Sequence, residues 1–436
     1  MNQTILIRNG RVIDPASGVD KVAGLLLADG KVAVIDPTDA IADVVIDATG
    51  LIVTPGLIDM HVHLREPGRE EVETIASGTA AAVAAGFTTV AAMPNTDPPI
   101  DNEAAVAFVK RQAGKADQAF VAVIGCVTVG QAGEQLAEMG QMHRSGAVAF
   151  SDDGVAVATA GMMRRALTYA KMFDVPIIEH AEEPTLSSGV MHAGVVSTAL
   201  GLAGIPSIAE SLIVERDLTL AGNTGGRLHI AHVSAAESVE AIRAAKARGV
   251  KVTAEVTPHH LALTDEAVRR FDPNFKMNPP LRTAADVAAC KAGLADGTID
   301  CLATDHAPHG LEEKELEFPA APNGIIGLET ALPVYIAELI APGVLTWPQM
   351  IEKFTANPAK ILNLAGRGHL AVGAVADVTL IDPSQAWTVD VNAFVSKARN
   401  CPWDGRLVHG KAVATIVRGE LKHTDPASAD RIGSAP

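Results

Sequence analysis

The sequence predicts an α/β protein: a (β/α)8 TIM barrel joined to a composite β-sandwich domain that the N- and C-terminal segments build together. Two observations lead to this prediction. Between residues 52 and 306, eight short apolar runs alternate with helical stretches, which is typical of parallel βα units. The two ends of the chain consist instead of short strand-like runs separated by turns. Several of the apolar runs in the middle also end in a histidine or an aspartate.

The strand-rich ends form one predicted domain around the barrel. The predicted segments are residues 1–55 and 366–423 for the β-sandwich domain, 56–365 for the barrel and 424–436 for a loose tail. Near the N-terminus, Asn9-Gly10 and Asp29-Gly30 each separate two apolar runs. These dipeptides are strong hairpin signals, so we expect two hairpins there. The tail is rich in Asp, Ala and Ser, and we expect it to be loose.

Eight barrel strands follow from the apolar runs of the middle segment. They are Ile52–His63, Thr88–Pro94, Phe120–Val127, Ala147–Ser151, Ile177–His180, Leu228–Val233, Val252–Val256 and Cys301–His306. Helical patterns at Glu103–Lys115, Ala236–Arg248 and Ala284–Ala295 fall between them. A doubly wound open sheet is the alternative. The absence of a Gly-x-Gly-x-x-Gly motif after the first strand disfavours it.

His61 and His63 end the first predicted strand. Alternate residues of a strand face the same side, so both imidazoles are expected on one face. Two such imidazoles can bind one metal ion through bonds of about 2.0–2.1 Å. The pair alone is weak evidence, because two histidines this close also occur by chance.

Further metal-capable side chains end later strands, where the catalytic groups of TIM barrels lie. They are Asp153, His180, His232 and Asp305. Together with the histidine pair, they predict a metal-dependent hydrolase. Strand alternation favours Asp153 over Asp152, although an Asp-Gly turn is the ordinary alternative. His229 is expected on the face opposite to His232, and a structural role suits it better.

Asp305 is the candidate catalytic residue, because a carboxylate beside a metal-bound water can both bind the metal and move protons. His306 and His309 share its loop, and either could touch substrate. His259 and His260 follow the seventh strand, but Pro258 turns the chain there, and we do not expect them to be ligands.

Arg65 follows the paired histidines and is a candidate clamp for an anionic group at the mouth of the barrel. The alternative is an ordinary surface ion pair with Glu66 or Glu70. Asn95 and Asn278 follow the second and seventh strands, where they could reach a substrate.

The loop Gly310–Asn323 is long, charged and unpatterned. We expect it to be mobile at the mouth of the site, with a passive surface loop as the alternative.

Composition excludes several functions. The 436 residues carry a net charge of −16, which argues against a nucleic-acid surface but not against an anionic small substrate in one pocket. The four cysteines show no disulfide or Cys-x-x-Cys pattern. We find no secretory leader and no membrane span in the sequence, and expect a cytoplasmic protein without a membrane or nucleic-acid partner.

The motifs that carry these residues resemble the amidohydrolase superfamily and, within it, the class I dihydroorotases, from about residue 4 to residue 420. The most specific segments are Asp59–Gly68, Met93–Thr96, Phe150–Gly154, Ala303–His309 and Gly327–Thr330. The resemblance implies two zinc ions. His61, His63 and Asp305 would bind one, His180 and His232 the second, and Asp153 would bridge them.

The same resemblance implies the substrate contacts. The residues concerned are His63, Arg65, Asn95, Asn278, His309, Asn323 and Gly324. They would hold the carboxylate and ring of (S)-dihydroorotate. Metal-assisted attack of water on the ring carbonyl would then give N-carbamoyl-L-aspartate, with Asp305 moving a proton to the leaving nitrogen. This is a step of de novo pyrimidine biosynthesis.

Two rival functions remain open in the sequence. Hydantoinases and allantoinases share the barrel, but many such relatives bridge their metals with a carboxylated lysine on strand four, and Ala147–Ser151 contains no lysine. A silent partner of aspartate carbamoyltransferase would be expected to lose metal ligands, and this chain keeps all six.

The resemblance also implies a homo-oligomer that can associate with aspartate carbamoyltransferase.

Overall fold

The computed structural model describes residues 3–38 and 40–434. Its centre is an eight-stranded parallel sheet in which each strand pairs with the next along the chain. The strands are Leu57–Val62, Phe87–Ala92, Phe120–Gly125, Ala147–Ser151, Pro176–Glu179, Arg227–Ile230, Val252–Val256 and Cys301–Leu302. A parallel bridge between Val62 and His306, with His63 N donating to His306 O at 2.9 Å, joins the first strand to the eighth. The predicted TIM barrel is therefore confirmed.

Helices alternate with these strands and cover the barrel. They are Ile75–Ala84, Glu103–Ala116, Met139–Ser145, Ala160–Ala170, Val195–Leu200, Ile208–Thr224, Ala236–Ala247, Pro258–Ala262, Ala284–Ala295, Leu311–Lys314, Leu328–Tyr335, Trp347–Phe354 and Ala356–Ile361. Local sequence explains several helix starts. Asn102 accepts a hydrogen bond from Ala105 N, and Thr283 forms a capping box with Asp286.

Alternation along the strands creates two cores. In the third strand, Val121 and Val123 belong to the large cluster that includes the surrounding helices. Ala122 and Ile124 belong to a smaller cluster together with Ala149 of the fourth strand. Because neighbouring residues of a strand point to opposite faces, the second cluster fills the barrel interior. The barrel thus has a hydrophobic core of its own.

The two ends of the chain form one nine-stranded mixed sheet, which is the predicted composite domain. Its strands are Ile5–Asp14, Val19–Ala28, Lys31–Ile35, Val44–Asp47, Ile52–Pro55, Val378–Thr388, Leu407–Val417, Glu420–Thr424 and Ile432–Ser434. The two ends of the chain are joined through Ile52–Pro55. This strand pairs parallel with Ile5–Asp14 and antiparallel with Val378–Ile381.

The prediction of one strand over Ile52–His63 was wrong. Ile52–Pro55 belongs to the terminal sheet, and the barrel strand begins at Leu57. Gly56 lies between them, and a Cβ added there would collide with the side chain of Thr88. Both parts are apolar and buried, so hydrophobicity gives no sign of the change of sheet.

Of the two predicted hairpins, only the second is confirmed. Asp29 and Gly30 have φ of 51° and 72° and connect two antiparallel strands. Asn9-Gly10 instead lies inside the continuous strand Ile5–Asp14, at a shift in its register. This dipeptide makes a bulge, which uses the same positive φ as a turn.

The tail was also predicted wrongly over its described part. Ile432–Ser434 pairs antiparallel with Val44–Ile46 and adds a strand to the terminal sheet. Over residues 3–38 and 40–434, no helix is both long enough and apolar enough to cross a membrane.

Candidate active site

Six predicted ligand side chains meet at the carboxyl end of the barrel. All are buried, with at most 6% of each residue exposed. They come from five different strand ends, namely those of strands one, four, five, six and eight: His61 and His63, Asp153, His180, His232 and Asp305. Parallel strands bring their carboxyl ends to one edge, which explains how residues up to 244 positions apart converge.

His61, His63 and Asp305 form the first half of the cluster. Asp305 Oδ1 lies 3.0 Å from His63 Nε2 and 3.4 Å from His61 Nε2. Two donors held about 2.1 Å from one tetrahedral ion would lie about 3.4 Å apart. These nitrogen and oxygen atoms therefore have the spacing that one metal ion requires.

Asp153 lies between this trio and a second pair of histidines. Its Oδ1 is 3.4 Å from His61 Nε2, 3.7 Å from His232 Nε2 and 3.8 Å from His180 Nδ1. Its Oδ2 is 3.5 Å from His63 Nε2. One carboxylate thus faces both groups of imidazoles. Two overlapping sets, His61–His63–Asp305 and His61–Asp153–His232, could each hold an ion.

Unpaired buried atoms at the centre of the cluster fit a metal. Over the described residues, His61 Nε2 and Asp153 Oδ1 are buried and have no hydrogen-bond partner. Leaving such atoms unpaired is unfavourable, and buried polar groups in proteins nearly always find a partner. A divalent cation is the partner that a set of imidazoles and carboxylates accepts, so these residues fit a bound metal.

The charges within the cluster shift the acid–base properties of its members. Burial alone would raise the pKa of Asp305, but the charge of His61 and the hydrogen bond from His63 bring it below its usual range. Asp153 follows the same pattern, with burial opposed by the charge of His61, and its pKa also lies well below the usual range. Both carboxylates are therefore held ionised, which is the form that binds metal.

Three site residues have a left-handed backbone: His232 with φ 30°, Asp305 with φ 48° and Arg65 with φ 59°. Non-glycine residues rarely adopt this region, and the cost is of order 1–3 kcal/mol each. The surrounding barrel must therefore impose these conformations. With these conformations, the three side chains at the strand ends line the cavity.

A cavity of about 270 Å³ opens above the cluster, and its walls include every predicted substrate contact. Arg65 donates from Nε to Pro308 O at 3.0 Å. Over the described residues, its two terminal nitrogens make no hydrogen bond and remain available to a ligand. Burial and the nearby charge of Arg69 lower the pKa of Arg65 to about 10, so it stays a cation at neutral pH.

The other side chains of the cavity wall are tied to the cluster or to each other. Asn95 Oδ1 lies 2.8 Å from His63 Nδ1, and Asn278 Nδ2 donates to Glu182 at 3.1 Å. His309 Nε2 lies 2.8 Å from Asn323 O. Burial, together with the charge of Arg65, lowers the pKa of His309 to about 3, so its ring is neutral at neutral pH.

Gly324 completes this wall at φ 154°. A Cβ at this position would come within 2.7 Å of His309 Nε2. Only glycine therefore allows the backbone at residue 324 to lie so close to the His309 ring.

The residues that the sequence offered as alternative ligands or substrate contacts lie outside the cluster. Asp152 accepts hydrogen bonds from Val127 N, Thr128 N and Thr128 Oγ1 and so anchors a neighbouring loop. His260 lies between Thr257 Oγ1 and Pro279 O. Neither His259, His260 nor His306 lines the cavity.

The loop Gly310–Asn323 is more structured than expected. Leu311–Lys314 is helical, and two buried lysines bind carbonyls of the loop. Lys276 Nζ donates to Pro319 O and Ala321 O, and Lys314 Nζ to Pro273 O and Pro322 O. These contacts favour an ordered loop.

Sequence reasoning missed three buried residues that support the site. Asp59 accepts from His61 N and Thr304 N, both at 3.1 Å, and so joins strands one and eight. Asn400 donates to Ala307 O and Gly324 O. Glu255 lies behind His61. Of the three, only Asp59 could have been recognised from the sequence, because it is an acid two residues before His61. Nothing local in the sequence marks Asn400 or Glu255.

A larger cavity, of about 510 Å³, lies at the opposite, amino-terminal end of the barrel, beside Arg227 and Lys251. It contains none of the predicted ligands. Barrel enzymes carry out their chemistry at the carboxyl ends of the strands, so the smaller cavity is the candidate active site.

A TIM barrel whose strand ends carry four histidines and two aspartates around unpaired donor atoms defines a metal-dependent hydrolase of the amidohydrolase type. Comparison with known proteins agrees. The family model described as dihydro-orotase-like matches residues 50–238. The dihydroorotase of Pelotomaculum thermopropionicum is 54% identical over 423 residues, 97% of this chain and 99% of that protein.

The dihydroorotase of Pelobacter propionicus is 53% identical over 96% of this chain and 99% of its own length. Among solved structures, the L-hydantoinase (dihydropyrimidinase) from Arthrobacter aurescens is 30% identical with a TM-score of 0.86, covering 97% of this chain and 96% of that one. The chain belongs to the dihydroorotase family.

Proposed function

We propose that this protein catalyses the reversible hydrolysis of (S)-dihydroorotate to N-carbamoyl-L-aspartate in de novo pyrimidine (UMP) biosynthesis. The observation that carries the proposal is Arg65, whose terminal nitrogens face the cavity beside the histidine–aspartate cluster. A guanidinium is suited to binding a carboxylate through two hydrogen bonds. Dihydroorotate has a carboxylate on its ring, whereas hydantoin and allantoin do not.

We propose two zinc ions per subunit. His61, His63 and Asp305 would hold one, His180 and His232 the other, and Asp153 would bridge them. The spacing of the donors and the unpaired His61 Nε2 and Asp153 Oδ1 support this assignment. When bound, zinc lowers the pKa of water and polarises a carbonyl oxygen.

Asp305 is the proposed proton carrier. It is buried and ionised, with His63 Nε2 3.0 Å from Oδ1, so it can accept a proton and pass it to the leaving nitrogen of the ring.

The cavity wall would position the ring. Arg65 would hold the carboxylate, and Asn95, Asn278 and His309 the polar ring atoms. Backbone groups of Asn323 and Gly324 would complete the contacts, because the missing side chain at Gly324 lets the ring approach the main chain. His63, through its hydrogen bond with Asn95, would link the metal site to the substrate.

We propose further that the enzyme acts in the cytoplasm as a homo-oligomer that can associate with aspartate carbamoyltransferase. Light scattering of the purified enzyme alone and mixed with aspartate carbamoyltransferase would test the oligomeric state and the association. A monomer that forms no complex would contradict them.

The second candidate function is that of a hydantoinase or allantoinase, favoured by the structural likeness to a hydantoinase. Metal analysis combined with steady-state assays on dihydroorotate, hydantoin and allantoin separates the two functions. We expect two equivalents of zinc and a kcat/KM for dihydroorotate at least about 100-fold above the others. In the Asp305→Asn variant we expect kcat to fall much more than KM changes. Faster turnover of hydantoin would contradict the proposal.

A further inference from the structure

Glu255 lies directly behind the metal cluster. It belongs to the seventh barrel strand, Val252–Val256, which contributes no candidate metal ligand. Its side chain is fully buried. Oε1 lies 2.6 Å from His61 Nδ1, and the backbone N–H of His232 donates to the same oxygen over a longer 3.4 Å.

The second carboxylate oxygen is also held. Oε2 lies 3.3 Å from His229 Nε2, and His229 Nδ1 lies 2.8 Å from Thr253 Oγ1. His61, Glu255, His229 and Thr253 thus form one chain of hydrogen bonds, whose end at Thr253 is partly exposed. Because both oxygens are held, the carboxylate cannot turn away from His61. This chain also explains the place of His229, which lies behind the cluster and does not line the cavity.

The contact with Glu255 decides which nitrogen of His61 can bind metal. A carboxylate accepts hydrogen bonds but donates none, so His61 Nδ1 must carry the proton. In the neutral ring, which is the form that binds metal, His61 Nε2 then keeps its lone pair. This is the atom that lies unpaired between Asp153 and Asp305. Carboxylates behind histidine ligands commonly fix the orientation of the ring and raise its basicity.

The same carboxylate reaches the other group of ligands through the backbone. His232 has φ 30°, an unfavourable conformation for a histidine, and its N–H faces Glu255. His61 belongs to one proposed zinc site and His232 to the other. One side chain from a strand without ligands therefore touches both sites.

We propose that Glu255 is a positioning residue for the metal centre, which holds His61 with Nε2 free to bind metal and supports the backbone of His232. This inference rests on the proposed zinc sites. A purely structural role would instead affect the stability of the metal-free protein and leave its zinc affinity unchanged.

The test measures zinc affinity of the metal-free enzyme by competition with a coloured chelator. Glu255→Gln keeps the length of the side chain without its charge, and Glu255→Asp keeps the charge without the reach. Changes behind a metal ligand typically cost about 10–100-fold in metal affinity, and we expect that loss in both variants. Glu266→Gln, an exposed glutamate paired with Arg269, is the matched control and should bind zinc as the wild type does.

Thermal unfolding of the metal-free proteins separates positioning from stability. We expect the metal-free Glu255→Gln variant to unfold within a few degrees of the metal-free wild type. Zinc affinity equal to that of the wild type in both Glu255 variants would overturn the inference. If neither variant folds, His229→Leu decides, since leucine has no donor for the second oxygen and the variant keeps Glu255. Wild-type zinc affinity in that variant would equally overturn the inference.

Failure of this inference is distinct from failure of the proposed function. A wild-type enzyme that binds no zinc or leaves dihydroorotate intact contradicts the proposed function. A wild-type enzyme that is active with zinc, beside Glu255 variants that bind zinc equally well, contradicts only the role of Glu255.

Discussion

Arg65 is the residue that we propose selects the substrate within a shared barrel. Its Nε is occupied by Pro308 O, so the side chain is fixed before any ligand arrives, and its terminal nitrogens are left for the ligand. A pre-positioned guanidinium loses little conformational freedom on binding. Neither sequence alternative, an ion pair with Glu66 or with Glu70, is present over the described residues.

We expect Arg65→Met to raise KM for dihydroorotate about 10–100-fold with a smaller effect on kcat. The physical reason is the loss of charge-assisted hydrogen bonds, worth about 1.5–3 kcal/mol, to a group remote from the reacting carbonyl. Steady-state kinetics measure the split between KM and kcat. Arg144→Met, on an exposed helix residue, is the control. Unchanged kinetics in Arg65→Met would show that Arg65 does not hold the carboxylate of dihydroorotate.

Individual residues also show where sequence reasoning reaches its limit. The six ligand candidates could be predicted because each ends an apolar run, and the barrel topology alone brings such ends together. Glu255 could not be predicted from the sequence. It lies 194 positions from His61, and only the folded barrel makes the two neighbours. Distances between donor atoms, and the unpaired state of His61 Nε2, likewise exist only in three dimensions.

At the scale of the element, regular helices and strands were predicted best. Ala284–Ala295 has the predicted bounds, because its capping box and apolar spacing are local. The boundary at Gly56 and the bulge at Asn9-Gly10 were missed, since each depends on a partner strand elsewhere in the chain. Local sequence encodes the element, whereas tertiary pairing decides which sheet it joins.

The loop that carries Asn323 provides a test at this scale. Lys314 is buried and donates to two carbonyls. One is Pro322 O within the loop, and the other is Pro273 O, which lies outside it. We expect Lys314→Met to increase limited proteolysis within residues 311–322 several-fold and to raise KM, because the backbone groups beside Gly324 lose their support. Lys353→Met, another buried lysine that donates to a carbonyl, is the matched control.

The rate of cleavage, with and without a substrate analogue, measures the effect. Protection of the variant by the analogue would show that the loop closes on the ligand. Equal cleavage of Lys314→Met and wild type would show that other contacts hold the loop.

The fourth barrel strand separates this chain from enzymes with a lysine carbamate. Ala147–Ser151 has no lysine, and no lysine lines the described cavity. The oxygen donor that we propose between the imidazoles is instead the permanent carboxylate of Asp153, whose pKa is held well below its usual range. Metal-free enzyme should therefore regain activity with zinc alone in carbon-dioxide-free buffer.

The matched comparison uses Asp153→Ala, which should regain no activity under any of these conditions. Recovery of the wild type that rises steeply with added bicarbonate would mean that a lysine elsewhere supplies the bridge. That result would place the metal chemistry of this enzyme with the hydantoinases.

At the scale of the whole molecule, we expect the fold to be stable without a metal at the site. The ligands lie at the rim of a barrel whose apolar residues form a continuous core with the helices, and the terminal sheet has a second core that includes Ile5, Leu25 and Val378. Burial of apolar area on this scale dominates stability. Small domains that fold around a metal lack such cores.

Prolonged chelation should therefore abolish turnover and leave the far-UV circular dichroism nearly unchanged. Metal removal does impose a cost, because Asp153, Asp305 and the histidines are left as a buried cluster of charges and unpaired donors. That cost is confined to one end of the barrel, so we expect the thermal midpoint to fall by several degrees without loss of cooperativity. Added zinc should restore both activity and midpoint. Unfolding on metal removal would contradict the separation of site and core, and would make the metal a structural element of the barrel.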